Sequence, residues 1–262
     1  MTAIKFTLIT VTYNAEATIE RTLQSVAQQT YPHVEHLIID GASTDGTVEI
    51  AQKFPHAHVT SEPDKGLYDA MNKGLRIATG DYLCFLNAGD TLHSPDTLAH
   101  IAQAVQAHIA LSDQARAPLA SDGLPVGILY GDTHIVDAQG RFLRNRRLTP
   151  PEHLTWRSFR HGMLVCHQAF YIHRRLIRPY DLTYRFSADF DWCIRCLQES
   201  ERCGMHTLYI KEPLADYLAE GMTTANHKAS LRERFRIMAH HYGLLPTLLQ
   251  HLWFVIRAII KR

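Results

Sequence analysis

The stretch Asn87-Ala88-Gly89-Asp90 follows an apolar run, residues 82–86, and could bind a metal ion. It offers a carboxamide, a carboxylate and a flexible glycine at one point. Mg²⁺ and Mn²⁺ prefer such oxygen ligands and usually take one or two from the protein, together with substrate phosphates. The stretch predicts a divalent-metal site, with Asp90 as the charged ligand and Asn87 as a neutral one. Alternatively, Asp90 caps the helix predicted near Pro95.

Residues 187–192, SADFDW, place Asp189 and Asp191 at the start of a predicted helix. Either aspartate could act as a general base, provided that an acceptor hydroxyl can reach it. Carboxylates in a first helical turn are also favourable with the helix dipole, which needs no catalytic role. The spacing does not decide which of the two faces a ligand.

Two further stretches carry acids close to glycines. Asp40 ends an apolar strand and could accept hydrogen bonds from a nucleoside, whereas Asp45 suits the N-cap of the next helix as well as it suits binding. Asp64 and Lys65 precede another predicted helix, where Lys65 could meet a phosphate. Further along that helix, Asn72 and Gly74 would allow close packing on the sheet.

The elements that must position these residues alternate between strand and helix. Such alternation predicts an α/β fold with a mostly parallel, Rossmann-like sheet covered by helices, whose ligands bind beyond the carboxyl ends of the strands. A hairpin is predicted around residues 127–131 and 141–148, and residues 112–125 read as a surface loop. The remaining predictions are strands at 6–12, 34–39, 58–61 and 82–86, and helices at 15–29, 67–78, 95–110, 152–160, 189–203 and 228–243.

Composition narrows the function classes. The 262 residues are 46% hydrophobic and carry a formal net charge of +1, which argues against a nucleic-acid binder. The five cysteines include the pair Cys193 and Cys196, which could bind zinc but more simply packs on one face of a buried helix. No signal-peptide pattern opens the sequence, so we expect a cytoplasmic protein. No G-x-G-x-x-G follows the first strand, which disfavours a nicotinamide dehydrogenase.

The C-terminal stretch, residues 244–262, is rich in large apolar residues and contains Trp253, with Arg257, Lys261 and Arg262 as its cations. It lacks the uninterrupted apolar run of about 20 residues that a membrane-spanning helix needs. An amphipathic helix in the membrane interface fits the pattern, which would place the protein at the cytoplasmic face of the inner membrane. Packing on the domain or on a second subunit is the alternative.

Several of these stretches together resemble the family-2 glycosyltransferases, whose catalytic domain has the GT-A fold. The resemblance covers residues 5 to about 225 and is closest to bacterial enzymes of exopolysaccharide or O-antigen synthesis, of the colanic-acid type. It implies a catalytic domain at 1–225, with a nucleotide-sugar half at 1–110 and an acceptor half at 126–225, followed by C-terminal helices at 226–262. The stretches that carry it are residues 10–47, 62–90, 130–132, 166–176 and 184–192.

The resemblance also implies roles for single residues. Thr12 and Asp40 would hold the nucleoside, and Asp64 would line the donor pocket. Tyr13, Asn14, Lys65 and Asn87 complete the predicted donor set. Asp90 matches the last aspartate of the family's metal-binding D-x-D region, and Asp189 matches its general base. His167, Gln168 and the stretch 221–224 match the acceptor side, to which Asp191 is also assigned.

This sequence departs from the family pattern at two positions, since Asn87 and Ala188 stand where acids are usual. The implied reaction is inverting transfer of a sugar from a nucleoside diphosphate to a hydroxyl of a glycan or lipid-linked acceptor, with Mg²⁺ or Mn²⁺. The alternative is a GT-A-like protein that binds a nucleotide sugar or a partner without turnover.

Overall fold

The first part of the chain alternates between strands and helices, as predicted. The computed structural model describes residues 3–114, 126–219 and 227–260. The elements of its first segment are the strands β1 (Phe6–Thr12), β2 (Val34–Asp40), β3 (Ala57–Ser61), β4 (Tyr82–Phe85) and β5 (Thr91–Leu92), and the helices α1 (Ile19–Ala27), α2 (Thr47–Gln52), α3 (Leu67–Ile77) and α4 (Thr97–Gln114).

The later segments hold longer strands and the remaining helices. Short 3₁₀ turns occupy Trp156–His161, His167–Ala169 and Arg174–Leu176. The regular elements are the strands β6 (Val126–Val136), β7 (Phe142–Asn145), β8 (Phe170–His173) and β9 (His206–Leu218), and the helices α5 (Ala188–Arg202), α6 (His227–Tyr242) and α7 (Leu244–Ile260).

The described strands form one nine-stranded sheet in the order β3-β2-β1-β4-β8-β6-β9-β5, with β7 paired to β6. Strands β1 to β4 are parallel, which confirms the prediction for this half. β8 runs antiparallel to both β4 and β6, and β6 and β9 are parallel to each other. The sheet is therefore mixed, and its second half was not predicted strand by strand.

The sheet register brings the predicted ligand-binding strand ends together. Thr12 pairs with Asp40, Asp40 pairs with Ser61, and β4 runs along the other side of β1. All seven residues of β1 are buried. A fully covered central strand projects only its carboxyl end toward a ligand, so the loops after β1, β2 and β4 meet at one edge.

Helix α3 packs closely on this sheet because it carries Gly74. A Cβ at Gly74 would lie 2.5 Å from Ile9 Cγ2. Asn72 fixes the same helix to the Tyr180 backbone, donating from Nδ2 at 3.1 Å and accepting at Oδ1 at 2.7 Å. These contacts confirm the predicted close approach.

Several predicted elements differ in extent from the observed ones. The helix predicted at 152–160 is a 3₁₀ turn, Trp156–His161, whose first residues are held by Thr155 and Ser158. The first helix starts later than predicted, at Ile19. The hairpin is confirmed, although β6 continues to Val136. Of the predicted loop 112–125, residues 112–114 belong to α4 and the rest lies outside the described residues.

Cys193 and Cys196 lie fully buried on α5, and burial raises the pKa of both thiols. This placement agrees with the interpretation that the pair packs in the core.

Helix α7 carries a face of exposed apolar side chains. Among the described helices, none combines the length and apolarity needed to span a bilayer. The other side of α7 packs on the protein, where Phe254 contacts the core and His251 lies against Phe235. The exposed residues recur at helical spacing and are Leu244, Leu245, Leu248, Leu249, Leu252, Trp253 and Ile256.

Candidate active site

The loop after β1 presents an exposed aromatic ring and a buried hydroxyl. Tyr13 is 63% exposed, whereas Thr12 is buried and its Oγ1 has no hydrogen-bond partner among the described residues. Asn14 has a positive φ of 48° and accepts a hydrogen bond from the Thr44 backbone at 2.9 Å. The loops after β1 and β2 therefore hold each other and leave the Tyr13 ring exposed to a ligand.

Asp40 lies at the end of β2 and is bonded within the protein. Its carboxylate accepts hydrogen bonds from the Ser43 backbone at 2.9 Å, from the Ser43 hydroxyl at 2.5 Å and from the Ser61 hydroxyl at 2.6 Å. The residue is 1% exposed. Through these hydrogen bonds, Asp40 holds the loop between β2 and α2 in place.

Asp64 faces that loop from the entry of α3. One of its oxygens accepts a hydrogen bond from the Gly66 backbone at 2.7 Å, and the other lies 2.5 Å from where a Cβ on Gly41 would be. Because Gly41 has no side chain, the Asp64 carboxylate occupies the space above the end of β2. Lys65, next to it, is exposed.

Asn87 connects the end of β4 to the 3₁₀ turn that begins at His167. Its Nδ2 donates to His167 Nε2 at 3.0 Å, while its Oδ1 is buried without a partner among the described residues. A buried carbonyl oxygen without a donor is costly, and a bound cation or ligand would relieve that cost. Gly89, two residues on, has a φ of 99° and donates its N–H to the Thr22 hydroxyl at 2.9 Å.

Asp90 is 4% exposed and bonded on both oxygens. Gln168 Nε2 donates to one at 2.7 Å, and the Leu218 backbone donates to the other at 2.9 Å. Burial raises the pKa of Asp90 to about 6, although these hydrogen bonds act against it. In this arrangement Asp90 joins the corner to β9, and each of its oxygens accepts one hydrogen bond. Its role as a metal ligand stays a prediction.

Asp189 lies in the first turn of α5 and faces the same edge. Its side chain is 18% exposed, and His167 Nδ1 lies 3.5 Å from its Oδ2. The Tyr68 hydroxyl donates to Oδ1 at 3.2 Å. Burial alone would raise the pKa of Asp189, but the neighbouring His167 and the charge of Arg234 outweigh it and lower that pKa. Asp189 is therefore a charged, partly accessible carboxylate.

Asp191, two residues along α5, points away from that edge. It is 3% exposed, with Arg195 Nε at 2.6 Å and His241 Nε2 at 2.7 Å from its oxygens. Burial would raise the pKa of Asp191, but His241 and Arg195 lower it. Its ion pairs join α5 to α6, and the assignment of Asp191 to the acceptor side stays a prediction.

A cavity of about 270 Å³ lies beside β6. The side chains of Asp132, Asn145, Arg146 and Lys211 line it, and so does Cys166. Cys166 Sγ donates to Gln168 Oε1 at 2.7 Å, and Gln168 in turn donates to Asp90. The cavity is therefore connected to the corner through two side chains.

A match to a protein-family model identifies the family of this chain. Residues 7–175 match the model of Glycosyl transferase family 2, which is more than half of the chain. The chain belongs to glycosyl transferase family 2. The match includes the strand ends, the Asn87–Asp90 corner and His167, and it ends before Asp189.

Curated relatives of this family 2 glycosyltransferase cover most of its length. It is 33% identical to the PGL/p-HBAD biosynthesis glycosyltransferase Rv2957 of Mycobacterium tuberculosis (strain ATCC 25618 / H37Rv) over 229 residues, which are 83% of this chain and 78% of the relative. It is 35% identical over 124 residues to the putative teichuronic acid biosynthesis glycosyltransferase TuaG of Bacillus subtilis (strain 168), which covers 45% of this chain and 49% of TuaG.

Solved structures show the same GT-A fold at low sequence identity. S. aureus TarS 1-349 in complex with UDP-GlcNAc has a TM-score of 0.65 at 17% identity, covering 96% of this chain and 73% of that one. The mannosyltransferase PcManGT from Pyrobaculum calidifontis, in complex with GDP-Man and Mn²⁺, has a TM-score of 0.54 at 16% identity, covering 95% and 74%.

The structure brings most of the predicted site residues to one edge. The ends of β1, β2 and β4 meet there, and His167 links Asn87 to Asp189. The stretch 221–224, also predicted on the acceptor side, lies outside the described residues. Sequence reasoning missed Tyr68 and Arg234, which act on Asp189 from α3 and α6. Nothing in the local sequence around either residue indicates that its helix packs against α5.

Proposed function

We propose that this family 2 glycosyltransferase moves a sugar from a nucleoside-diphosphate donor to a hydroxyl acceptor, with inversion at the anomeric carbon and Asp189 as general base. The observation that supports this best is the link Asn87–His167–Asp189, which holds a charged and partly exposed carboxylate beside the end of β4. A base must be reachable by the proton that it takes, and among the acids of α5's first turn only Asp189 meets that condition.

The donor would lie across the loops after β1 and β2. Tyr13 offers a ring face to the base, Thr12 offers an unpaired hydroxyl, and Asp64 offers a carboxylate oxygen toward Gly41. Lys65 is exposed next to Asp64 and suits a phosphate. Asp40 would act indirectly by fixing the loop that carries Gly41 and Ser43. TarS 1-349, which shares this fold, was solved in complex with UDP-GlcNAc, and this supports a nucleotide-sugar donor here.

The reaction would be a single displacement. The acceptor oxygen attacks the anomeric carbon from the face opposite the diphosphate, the bond from that carbon to the diphosphate breaks, and Asp189 takes the hydroxyl proton. His167 holds Asp189 through Nδ1–H, so that Nε2 accepts from Asn87 and the ring keeps one tautomer. One displacement inverts the configuration.

A divalent cation fits this corner through Asn87 Oδ1, a buried oxygen without a donor among the described residues. We propose that Asn87 and the donor's diphosphate hold Mg²⁺ or Mn²⁺ there. Asp90 would hold the corner in place through its hydrogen bonds with Gln168 and Leu218. Such an ion, when bound, offsets the charge of the leaving diphosphate. PcManGT was solved with Mn²⁺ and GDP-Man, which supports a cation in this fold.

The decisive experiment compares two neighbouring aspartates. We expect Asp189→Asn to lower kcat/KM by about 10² or more while leaving the melting temperature within about 2 °C, because the carboxylate is lost as a base. Asp191→Asn is the matched control, since it removes a charge from the same helical turn. Asp191→Asn should lower stability and keep kcat/KM of the folded protein close to wild type.

Wild-type turnover by folded Asp189→Asn would overturn this proposal. If only Asp191→Asn lost transfer, the role of general base would be assigned to Asp191 instead. A thermal-shift screen of nucleotide sugars with and without Mn²⁺ would identify the donor, because a specific ligand stabilises the folded state by mass action.

The exposed apolar face of α7 supports a membrane-bound acceptor. Its side chains Leu245, Leu249 and Trp253 are 68%, 60% and 52% exposed. An interfacial helix inserts such a face among lipid headgroups. We propose that α7 holds the enzyme at the cytoplasmic face of the inner membrane, where a lipid-linked glycan intermediate of surface polysaccharide synthesis is the acceptor.

Liposome co-sedimentation tests this anchoring. The double variant Leu245→Glu/Leu249→Glu, and a chain that ends after Gly243, should both move from the lipid pellet to the supernatant. The matched control is Leu143→Glu/Leu182→Glu, which changes two leucines that are 52% and 51% exposed elsewhere. If the α7 variants and the control variant pelleted equally with liposomes, the apolar face of α7 would instead be assigned to a protein partner.

A further inference from the structure

Three side chains converge on the edge of the sheet formed by β6, β9 and β5. His93 Nδ1 lies 2.8 Å from Asp216 Oδ1, and His134 Nδ1 lies 3.9 Å from the same oxygen. The three ligand atoms all lie within 4.8 Å of one another. Among the described residues, this is the one group of three or more His, Cys, Asp or Glu side chains placed in this way.

The backbone places these side chains before any ligand binds. Asp216 on β9 is the register partner of His134 on β6 and of Thr91 on β5. His93 follows β5 directly, and its N–H donates to the Leu214 carbonyl at 3.2 Å. The two imidazole rings meet edge to face with centroids 4.7 Å apart, and Phe142 packs against the His134 ring. The cluster is therefore built on paired strands rather than on a free loop.

We propose that His93, His134 and Asp216 bind a divalent transition-metal ion of the zinc class, at a site separate from the donor corner. Two imidazoles and one carboxylate suit Zn²⁺, whose bonds to them are about 2.0–2.2 Å and tetrahedral. Ligand atoms of such a site lie about 3.3 Å apart by that geometry. The observed 2.8 and 3.9 Å lie on either side of this value, so small side-chain rotations would complete three bonds. Water would fill the fourth position.

A plain hydrogen bond explains only part of this arrangement. It accounts for His93 and Asp216, whose Nδ1 and Oδ1 lie 2.8 Å apart. It does not account for His134, whose Nδ1 faces the same oxygen at 3.9 Å, beyond hydrogen-bond distance. Neutral imidazole is the form that binds metal. A metal ion would replace the proton that His93 and Asp216 share.

An ion here would join three strands at the end of the sheet. β9 continues from Asp216 to Leu218, whose N–H holds Asp90. The short strand β5, which follows the Asn87–Asp90 corner, has only two residues paired with β9. The ion would therefore stabilise the strand edge behind the corner without contacting the donor.

The test is a metal titration of untagged protein that has been treated with EDTA. The wild type should take up one equivalent of Co²⁺ with visible ligand-field bands, and Zn²⁺ should displace it. His93→Ala, His134→Gln and Asp216→Asn should each weaken binding by about 10² or more, because each removes one of three ligands. Binding should also weaken on acidification, since protons compete for the same imidazoles.

His100→Ala is the matched control. His100 is exposed and has its own carboxylate partner, with Nδ1 3.2 Å from Glu212, but no second histidine joins that pair. His100→Ala and Asn87→Ala should both bind Co²⁺ as the wild type does. Circular dichroism of the metal-free variants checks that each remains folded. His93→Ala, which changes the exposed member of the cluster, and His134→Gln keep the test decisive if Asp216→Asn does not fold.

Two results would overturn the proposal. One is a wild type that binds no stoichiometric Co²⁺ or Zn²⁺, and the other is unchanged binding by folded His134→Gln. Because the readout is metal uptake and not sugar transfer, failure here leaves the assignment of Asp189 untouched.

Discussion

The carboxylates at the strand ends and the carboxylate at the start of α5 are held in opposite ways. Asp40 and Asp90 are 1% and 4% exposed, and both oxygens of each accept hydrogen bonds from the protein. Asp189 is 18% exposed, and its partners are a histidine and a tyrosine that leave one side open. Buried acids with full complements of donors shape loops, whereas a partly exposed, charged acid can exchange a proton.

The largest expected effect concerns the pH dependence of Asp90. Burial raises its pKa from 3.8 to about 6, so the folded protein binds this proton more tightly than the unfolded chain does. The stabilisation is complete below about pH 4 and is lost as pH rises through 6, by about 3 kcal/mol. Urea denaturation from pH 4 to 7 should show the wild type losing this stability relative to Asp90→Asn, which does not titrate.

Glu35 supplies the control of opposite sign. Burial would raise its pKa, but hydrogen bonds from Thr7, Thr79 and Lys5 lower it to about 2. Glu35 therefore stabilises the fold above about pH 4.5, and this contribution is lost as pH falls toward 2. Glu35→Gln should lose stability relative to wild type at neutral pH. An Asp90→Asn curve parallel to wild type would show that Asp90 is not a buried, titrating acid.

The next effect concerns Asp40. Asp40→Ala leaves two serine hydroxyls and one backbone N–H without their acceptor, which should cost about 2 kcal/mol of unfolding free energy. Asp64→Ala removes an acid whose one donor among the described residues is the Gly66 backbone, and should cost less than about 1 kcal/mol. Equal losses in urea denaturation would remove the distinction between loop-shaping and ligand-facing acids on the donor side.

The smallest effect concerns Tyr68, which is 7% exposed. Tyr68→Phe removes the donor 3.2 Å from Asp189 Oδ1, so the carboxylate should become easier to protonate. The acid limb of the kcat/KM profile should move to higher pH, with a loss of no more than about 10-fold above that limb. Tyr180→Phe is the control, because the Tyr180 hydroxyl is buried without a partner among the described residues. An unshifted acid limb in the kcat/KM profile of Tyr68→Phe would show that Tyr68 does not affect the protonation of Asp189.

The parallel half of the fold could be predicted because its signals are local. Apolar runs such as residues 6–12 end at turn residues, and Gly74 marks a helix that approaches the sheet. Strand β9 escaped prediction because its sequence contains Lys211, Glu212 and Pro213. Pro213 lies where the β6–β9 register shifts, and a proline is tolerated at such an irregularity.

The sequence allowed a prediction of the residue types in the candidate site, but not of the directions in which their side chains point. The sequence placed Asp189 and Asp191 in one helical turn, but only packing decides which of them meets His167 and which meets His241. His241 lies 50 residues away from Asp191 along the chain. Likewise, the donors that occupy Asp90 come from Gln168 and Leu218, on segments that no local pattern connects to the corner.

The crossing of the chain from β4 to β5 limits how relatives of this enzyme can be recombined. β4 and β5 are consecutive in sequence, yet β5 pairs with β9 at the far edge of the sheet. A chimera that takes residues before 126 from one relative and the remainder from another would inherit mismatched partners for Asp90 and Thr91. A functional hybrid should therefore take Gln168, the end of β9 and the Asn87–Asp90 corner from the same relative.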